Sequence, residues 1–490
     1  MERTYDAVVV GAGPNGLAAA ITLARADWSV LVVEAADEVG GGTRSAALTA
    51  DGFIHDVCSA VHPLAIASPF FRSLDLPSLG LELIHPAIPL AHPLDGGTAA
   101  VLHRDLAATA EGLGPDGRAW RRLMTPLVGS ADAVVAEVLQ PLHVPRHPLA
   151  LASFGLRALP PARMLARALF DQPAAAGLFA GVAAHSIQPL ERPLTSAVGV
   201  LLSFLGHAYG WPIARGGSGR IGTALETAAR QLGVDITTGW SVERLEELPA
   251  SDAVLFDLTP RQVLRITGTH LPARYRRALT RYRYGPGVFK LDYALSGPVP
   301  WEAEPCRSAG TVHLGGTLEE VAAAEREAFH GRVPQRPFVL LAQPTVDDPT
   351  RAPAGRHVAW AYCHVPHGCT VDMTEAIERQ IERFAPGFRD RILVRHAMGP
   401  AALEAHDANY VGGDITGGVQ DLRQLYTRPA VRLPAYATPN PRLWLCSSST
   451  PPGAGVHGMC GVGAATALLR RSARRARRGR RPTRGGGSAD

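Results

Sequence analysis

The sequence predicts an α/β protein in which a parallel sheet with covering helices is interleaved with a second, α+β domain. Three observations predict it. The chain opens with an apolar strand, a glycine turn and a small-residue helix, followed by a second strand ending at Glu34. A glycine-rich strand-to-helix junction recurs far downstream, from Ser447 to Gly461. Between them lies a strand-rich block over about 285–430, preceded by a Pro-, Leu- and Ala-rich helical stretch.

The opening run Ala7-Val8-Val9-Val10 is continuously apolar, as a parallel strand covered on both faces must be. Gly11 allows the tight turn, Gly13 lets backbone amides approach a pyrophosphate, and Gly16 lets the helix lie close to the sheet. Pro14 and Asn15 open a helix that runs to about Arg25 and points its positive N-terminal end at those phosphates. Glu34 lies 18 residues after Gly16, where a carboxylate accepts hydrogen bonds from ribose hydroxyls and repels a 2′-phosphate. This is a Rossmann-like dinucleotide site that disfavours NADP.

The residues beyond Glu34 point to a longer cofactor, FAD. Gly40-Gly41-Gly42-Thr43-Arg44 brings backbone close to a ligand that has already passed the first turn. Arg44 can neutralise the pyrophosphate or hold the Glu34 region in place. At the other end Gly455-Val456-His457 precedes a helix whose start suits negative charge on a reduced flavin ring. A second G-x-G-x-x-G match, Gly217 to Gly222, comes after Trp211–Arg215 and not a buried strand, so it is read as a turn starting a packed helix.

The organisation expected is an FAD-binding domain built from 1–75, 215–284 and 431–470, and a substrate domain built from 76–214 and 285–430. Residues 471–490 are expected to form a disordered Arg-rich tail. Nine arginines and one acid fall in 470–490, so the rest of the chain carries 40 basic and 43 acidic residues and the formal charge of +5 belongs to the tail. That tail is read as a solvated extension, and nucleic-acid binding is not expected. Six cysteines without a C-x-x-C pair suit a reducing cytoplasm and argue against a redox disulfide. Cys363-His364-Val365-Pro366-His367-Gly368-Cys369 matches no zinc spacing, so no metal is expected. No stretch is long and apolar enough to span a bilayer. The apolar inserts suggest an apolar, lipid-like substrate reached at a membrane surface.

Along nearly its whole length the chain resembles the FAD-dependent amine oxidase and phytoene desaturase superfamily. It is most similar to the branch of pyridine nucleotide-disulfide oxidoreductase domain-containing proteins and their bacterial phytoene-dehydrogenase-like relatives. The resemblance rests on Gly11–Gly16, Glu34 through Arg44, Tyr284–Lys290, Ala359–His364, Val411–Asp414 and Thr450–Gly461. It implies a two-domain flavoprotein with Val242 near the adenine and the helix after Gly455 under the isoalloxazine. Asp27 stands where these proteins place glycine, and Arg44 lies two places further from the glycine pair than the arginine of amine oxidases.

Two catalytic candidates emerge. Lys290 is the only lysine beside 48 arginines. It resembles the amine oxidase lysine that bonds through water to flavin N5; the alternatives are an incidental surface lysine or a partner for Asp292. His457 either orients substrate or shuttles a proton, or it bonds backbone at the helix start. The expected activity is hydride transfer from an activated C–H of an apolar small molecule to flavin N5. The alternative is a catalytically silent FAD-binding protein with a regulatory or interaction role.

Overall fold

The computed structural model describes residues 4–479. Five parallel strands form the first sheet, in the spatial order Leu443–Leu445, Ser251–Phe256, Tyr5–Val10, Val30–Val33 and Asp235–Thr237. Val10 stands level with Val33 on one side and Phe256 on the other, so three strands end together at one carboxyl edge. Ligands of open parallel sheets bind outside such an edge. Both faces are covered. Val9, Val32 and Leu255 pack into one apolar core and Val8, Val33 and Phe256 into another, as the two-residue period of a strand requires.

The helix Pro14–Ala24 covers the first face and carries two neighbours, Gly219–Gln231 and the terminal helix Met459–Gly479. The terminal helix can approach because residue 461 is glycine: a Cβ there would lie 1.8 Å from the Asn15 carbonyl oxygen. First and last glycine segments are thereby packed together. Asp27, with φ of 62°, takes the left-handed turn after the first helix without a glycine.

The second sheet has seven strands, ordered Ile392–Met398, Gly287–Leu295, His357–Val365, Val339–Ala342, Ala309–Leu314, Ile88–Leu94 and Thr98–Leu102. All neighbours are antiparallel except Ala309–Leu314 with Ile88–Leu94. Alternation along His357–Val365 sends Ala359, Ala361 and Cys363 to one core and Trp360 and Tyr362 to the other. The second core is roofed by helices that include Gly117–Val128, Ala131–Val138, Pro173–Ala183 and Thr195–Ala208.

The expected disordered tail does not begin at 471, because the terminal helix continues through Gly479. Ala and Arg are both strong helix formers, and the run Ser472–Arg478 holds nothing else but one serine. The remainder of the expected tail, residues 480–490, lies outside the described residues.

Candidate functional site

A cavity of about 670 Å³ opens at the carboxyl edge of the first sheet and reaches the Trp360–Tyr362 face of the second. Its walls include Gly11, Gly13, Pro14, Asn15, Glu34, Gly41, Gly42 and Arg44, and also Val242, Gly455, Val456 and His457. These are all the expected cofactor contacts but one. Gly16 lies under the turn instead, where a Cβ would come within 2.1 Å of the Gly11 carbonyl oxygen.

The walls fit a dinucleotide. A Cβ on Gly41 would stand 3.2 Å from the Gly13 Cα, so the two glycine segments leave bare backbone facing one space. Glu34 accepts hydrogen bonds from the Ala12 amide at 2.6 Å and the Ala36 amide at 3.0 Å. The strand end and both turns thus fix its carboxylate at the cavity wall. Trp240 and Val242 add apolar surface beside it. Arg44 bonds backbone and not Glu34: Nε donates to the Gly41 carbonyl at 3.1 Å and Nη2 to the His406 carbonyl at 2.7 Å. It ties the glycine loop to the segment after the second sheet.

The second glycine match serves an internal carboxylate. The Ser218 amide donates to Asp56 Oδ1 at 2.7 Å, and the Gly219 amide to Ser45 Oγ at 2.9 Å. Asp56 is buried, and Arg351 Nη2 donates to its other oxygen at 2.7 Å. Burial would raise the Asp56 pKa, but the Arg351 charge and the hydrogen bonds outweigh it and hold the pKa below the usual carboxylate value. His62 lines the cavity with Nε2 2.8 Å from Ser218 Oγ, and burial pushes its pKa down to about 4.

The catalytic candidates are placed differently from each other. His457 lines the cavity, but both ring nitrogens are engaged: Nδ1 accepts from the Met459 amide at 3.0 Å, and Nε2 donates to the Gly453 carbonyl at 3.2 Å. That pattern fixes the neutral tautomer and caps the terminal helix. Burial lowers its pKa to about 4. Lys290 is 1% exposed, bonds both oxygens of Asp292, and is not among the cavity-lining residues. Its Nζ lies 5.6 Å from the ring centroid of Trp360, which does line the cavity. Burial lowers the Lys290 pKa and Asp292 opposes the shift.

One stretch of the wall is apolar: Val138, Leu139, Val198, Leu201, Leu202, Trp211, Leu340, Trp360 and Tyr362. His185 joins it, 3.1 Å from His313, and burial pushes its pKa down to about 3, so it carries no charge at neutral pH. The Cys58 thiol is pushed up to about 11 by burial and stays protonated. Among the described residues no group of side chains could hold a metal ion. Sequence reasoning missed two carboxyls of the cavity wall, the buried Asp257 and the half-buried Asp407. One signal could have found Asp257, since it comes after an apolar strand just as Glu34 does.

Comparison with known proteins agrees with this geometry. Residues 9–74 match the model of the NAD(P)-binding Rossmann-like domain. The chain is homologous to pyridine nucleotide-disulfide oxidoreductase domain-containing protein 2 of Rattus norvegicus, 27% identical over 96% of this chain and 94% of that protein. It is 28% identical to phytoene dehydrogenase of Streptomyces griseus over 79% of this chain and 77% of that one. Cyclohexylamine oxidase from Brevibacterium oxydans IH-35A shares the fold, with a TM-score of 0.58, 16% identity, and coverage of 96% of this chain and 99% of that chain. The homologues and structural neighbours are oxidoreductases, and the chain shares their Rossmann-like domain and two-sheet architecture.

Proposed function

We propose that the protein is an FAD-dependent oxidoreductase that transfers hydride from an activated C–H of an apolar small molecule to flavin N5. One observation carries this reading: glycine-lined dinucleotide walls and a large uncharged apolar wall belong to the same cavity. FAD, when bound, supplies the hydride acceptor. The chain supplies the rest. Gly13 and the amides opening the helix Pro14–Ala24 face the pyrophosphate, and Glu34 takes the ribose. The Gly455–His457 turn and the start of the terminal helix would hold the isoalloxazine end and favour its reduced charge. Trp360, Tyr362 and Trp211 orient the substrate and exclude water. With His457 and His185 neutral, the apolar wall presents no fixed charge, which suits an uncharged substrate.

A specific observation also supports a second reading, a silent flavin-binding protein: Lys290 is withdrawn onto Asp292, and His457 has no free ring nitrogen. One experiment separates the two. Protein saturated with FAD is mixed anaerobically with apolar alcohols, ketones, amines and polyenes, and the flavin absorbance is followed. Bleaching by any of them supports the enzyme, an unchanged oxidised spectrum across the set favours the silent protein, and failure to take up FAD overturns both.

We further propose that substrate enters from a membrane surface to which the protein binds peripherally. Six large apolar side chains between Leu142 and Met164 are more than half exposed. They adjoin the helix Ala131–Val138, whose end lines the cavity.

A further inference from the structure

Asp257 comes directly after the strand Ser251–Phe256 and lies under the first glycine turn. Its Oδ2 accepts from the Gly16 amide at 2.8 Å. A Cβ on Gly13 would stand 2.8 Å from that oxygen, so the carboxyl abuts the backbone that faces the pyrophosphate. The residue is 7% exposed and lines the cavity, and Oδ1 has no hydrogen-bond partner among the described residues. That oxygen is left free at the cavity wall, where a ligand can meet it.

The groups facing it are mostly acidic. Glu34 comes from the end of the second strand, and Asp407 from the segment after the helix Pro400–His406. Cys446 and Cys460 face it from the last strand and the terminal helix, with thiols that burial keeps protonated. Among the described residues no arginine or lysine bonds it. A pyrophosphate brings two more negative charges to the same helix start, where an ionised Asp257 would repel them and compete for the amides.

We propose that Asp257 holds the dinucleotide pyrophosphate as a carboxylic acid, its Oδ1 hydroxyl donating to a phosphate oxygen while Oδ2 accepts from Gly16. The proposal rests on the dinucleotide reading of the cavity, but not on flavin in particular. Desolvation first, then the Asp407 and Glu34 charges, raise the pKa of this carboxyl to about 8, so it is protonated at neutral pH before any ligand arrives. A carboxylic acid kept neutral so that it can donate is an established device of active sites. Ligand affinity must then fall as pH rises, because binding above that pKa requires uptake of a proton.

The test is direct titration of the cofactor-free full-length protein with FAD, and separately with ADP, from pH 6 to 9. For the wild type, Kd is expected to rise about tenfold between pH 7 and pH 9, the slope of a single linked proton. Asp257→Asn keeps an acceptor for the Gly16 amide and a donor for the phosphate. It is expected to bind within about threefold of wild type at pH 7, with a profile flat to within about twofold. Asp407→Asn should keep a one-proton dependence, displaced to lower pH because one of the charges that raise the Asp257 pKa is gone. A flat wild-type profile overturns the proposal, as does a slope that survives in Asp257→Asn or vanishes in Asp407→Asn. Tight pH-dependent binding of ADP by a protein that never takes FAD would remove the flavin reading and leave the role of Asp257 standing.

Discussion

The only lysine in 490 residues is buried against Asp292 on the strand that also faces Trp360. Removing one member of a buried pair leaves an uncompensated charge and costs about 3–5 kcal/mol, whereas replacing both with apolar groups is often neutral. Lys290→Met is therefore expected to lower unfolding free energy by about that amount in urea titrations, and Lys290→Met with Asp292→Leu to recover most of it. Recovery of stability without recovery of flavin reduction would reassign Lys290 to the chemistry. Asp257 gives the second prediction at this scale. Its pKa rises on folding from the usual carboxylate value to about 8, so its favourable contribution is complete below pH 4 and is lost progressively up to pH 8. In the cofactor-free protein, the melting temperature of Asp257→Asn relative to wild type should climb between pH 5 and 8 and then level off. A difference that stays constant across that range would mean Asp257 ionises normally.

At the scale of elements, two helices meet through glycine. The Asn15 carbonyl leaves no room for a Cβ at residue 461, so Gly461→Ala must push the terminal helix off the first one. Overpacking of this kind costs about 1–3 kcal/mol, and here it also displaces the Gly455–His457 turn. Gly112 is the control: it ends a helix with nothing within 4 Å of its Cβ position, and Gly112→Ala should be neutral or stabilising by less than about 1 kcal/mol. Equal melting temperatures for the two variants would refute the account. This contact also shows what sequence can convey. Strands such as Ala7–Val10 and His357–Val365 are legible because burial imposes a local pattern on them. So is the Gly11–Glu34 unit, whose spacing is set by the ligand. The surroundings of Asp257 and Asp407 are not legible, because they come from what faces each residue across the fold: Gly16 at a separation of 241 residues for one, Gly41 and Arg44 for the other. The Lys290–Asp292 pair is two residues apart, yet the ring that Lys290 Nζ lies over, Trp360, belongs to another strand. The terminal helix outruns the expected start of the tail because arginine is a helix former as well as a charge.

For the whole molecule, the apolar surface is unevenly placed. Leu142, Val144, Leu149, Leu156, Leu159 and Met164 account for six of the thirteen exposed large apolar side chains among the described residues. Leu149 and Leu156 lie seven residues apart on the helix Pro148–Ala158, hence on one face. From Gln140 to Phe170 the chain has no acidic residue and four arginines, Arg146, Arg157, Arg163 and Arg167. Arg163 and Arg167 are paired with Glu319, which leaves Arg146 and Arg157 as the cations of this segment beside its exposed leucines. Leucines that enter the acyl boundary beside arginines that meet anionic headgroups are the pattern of an interfacial membrane surface. No helix among the described residues is long and apolar enough to cross a bilayer, so any attachment through this face would be superficial. The same region leads inward, since Val138 and Leu139 at the end of the preceding helix line the cavity. A substrate leaving the lipid here would cross little water before reaching the apolar wall. In flotation assays the protein is expected to rise with vesicles containing anionic phospholipid, less with neutral vesicles, and less again at high salt. Leu149→Ser with Leu156→Ser removes surface that packs on nothing, so folding and FAD content should be unchanged while flotation falls severalfold. Flotation that is indifferent to both leucines and to lipid charge would sever the cavity from the bilayer and return the substrate to solution.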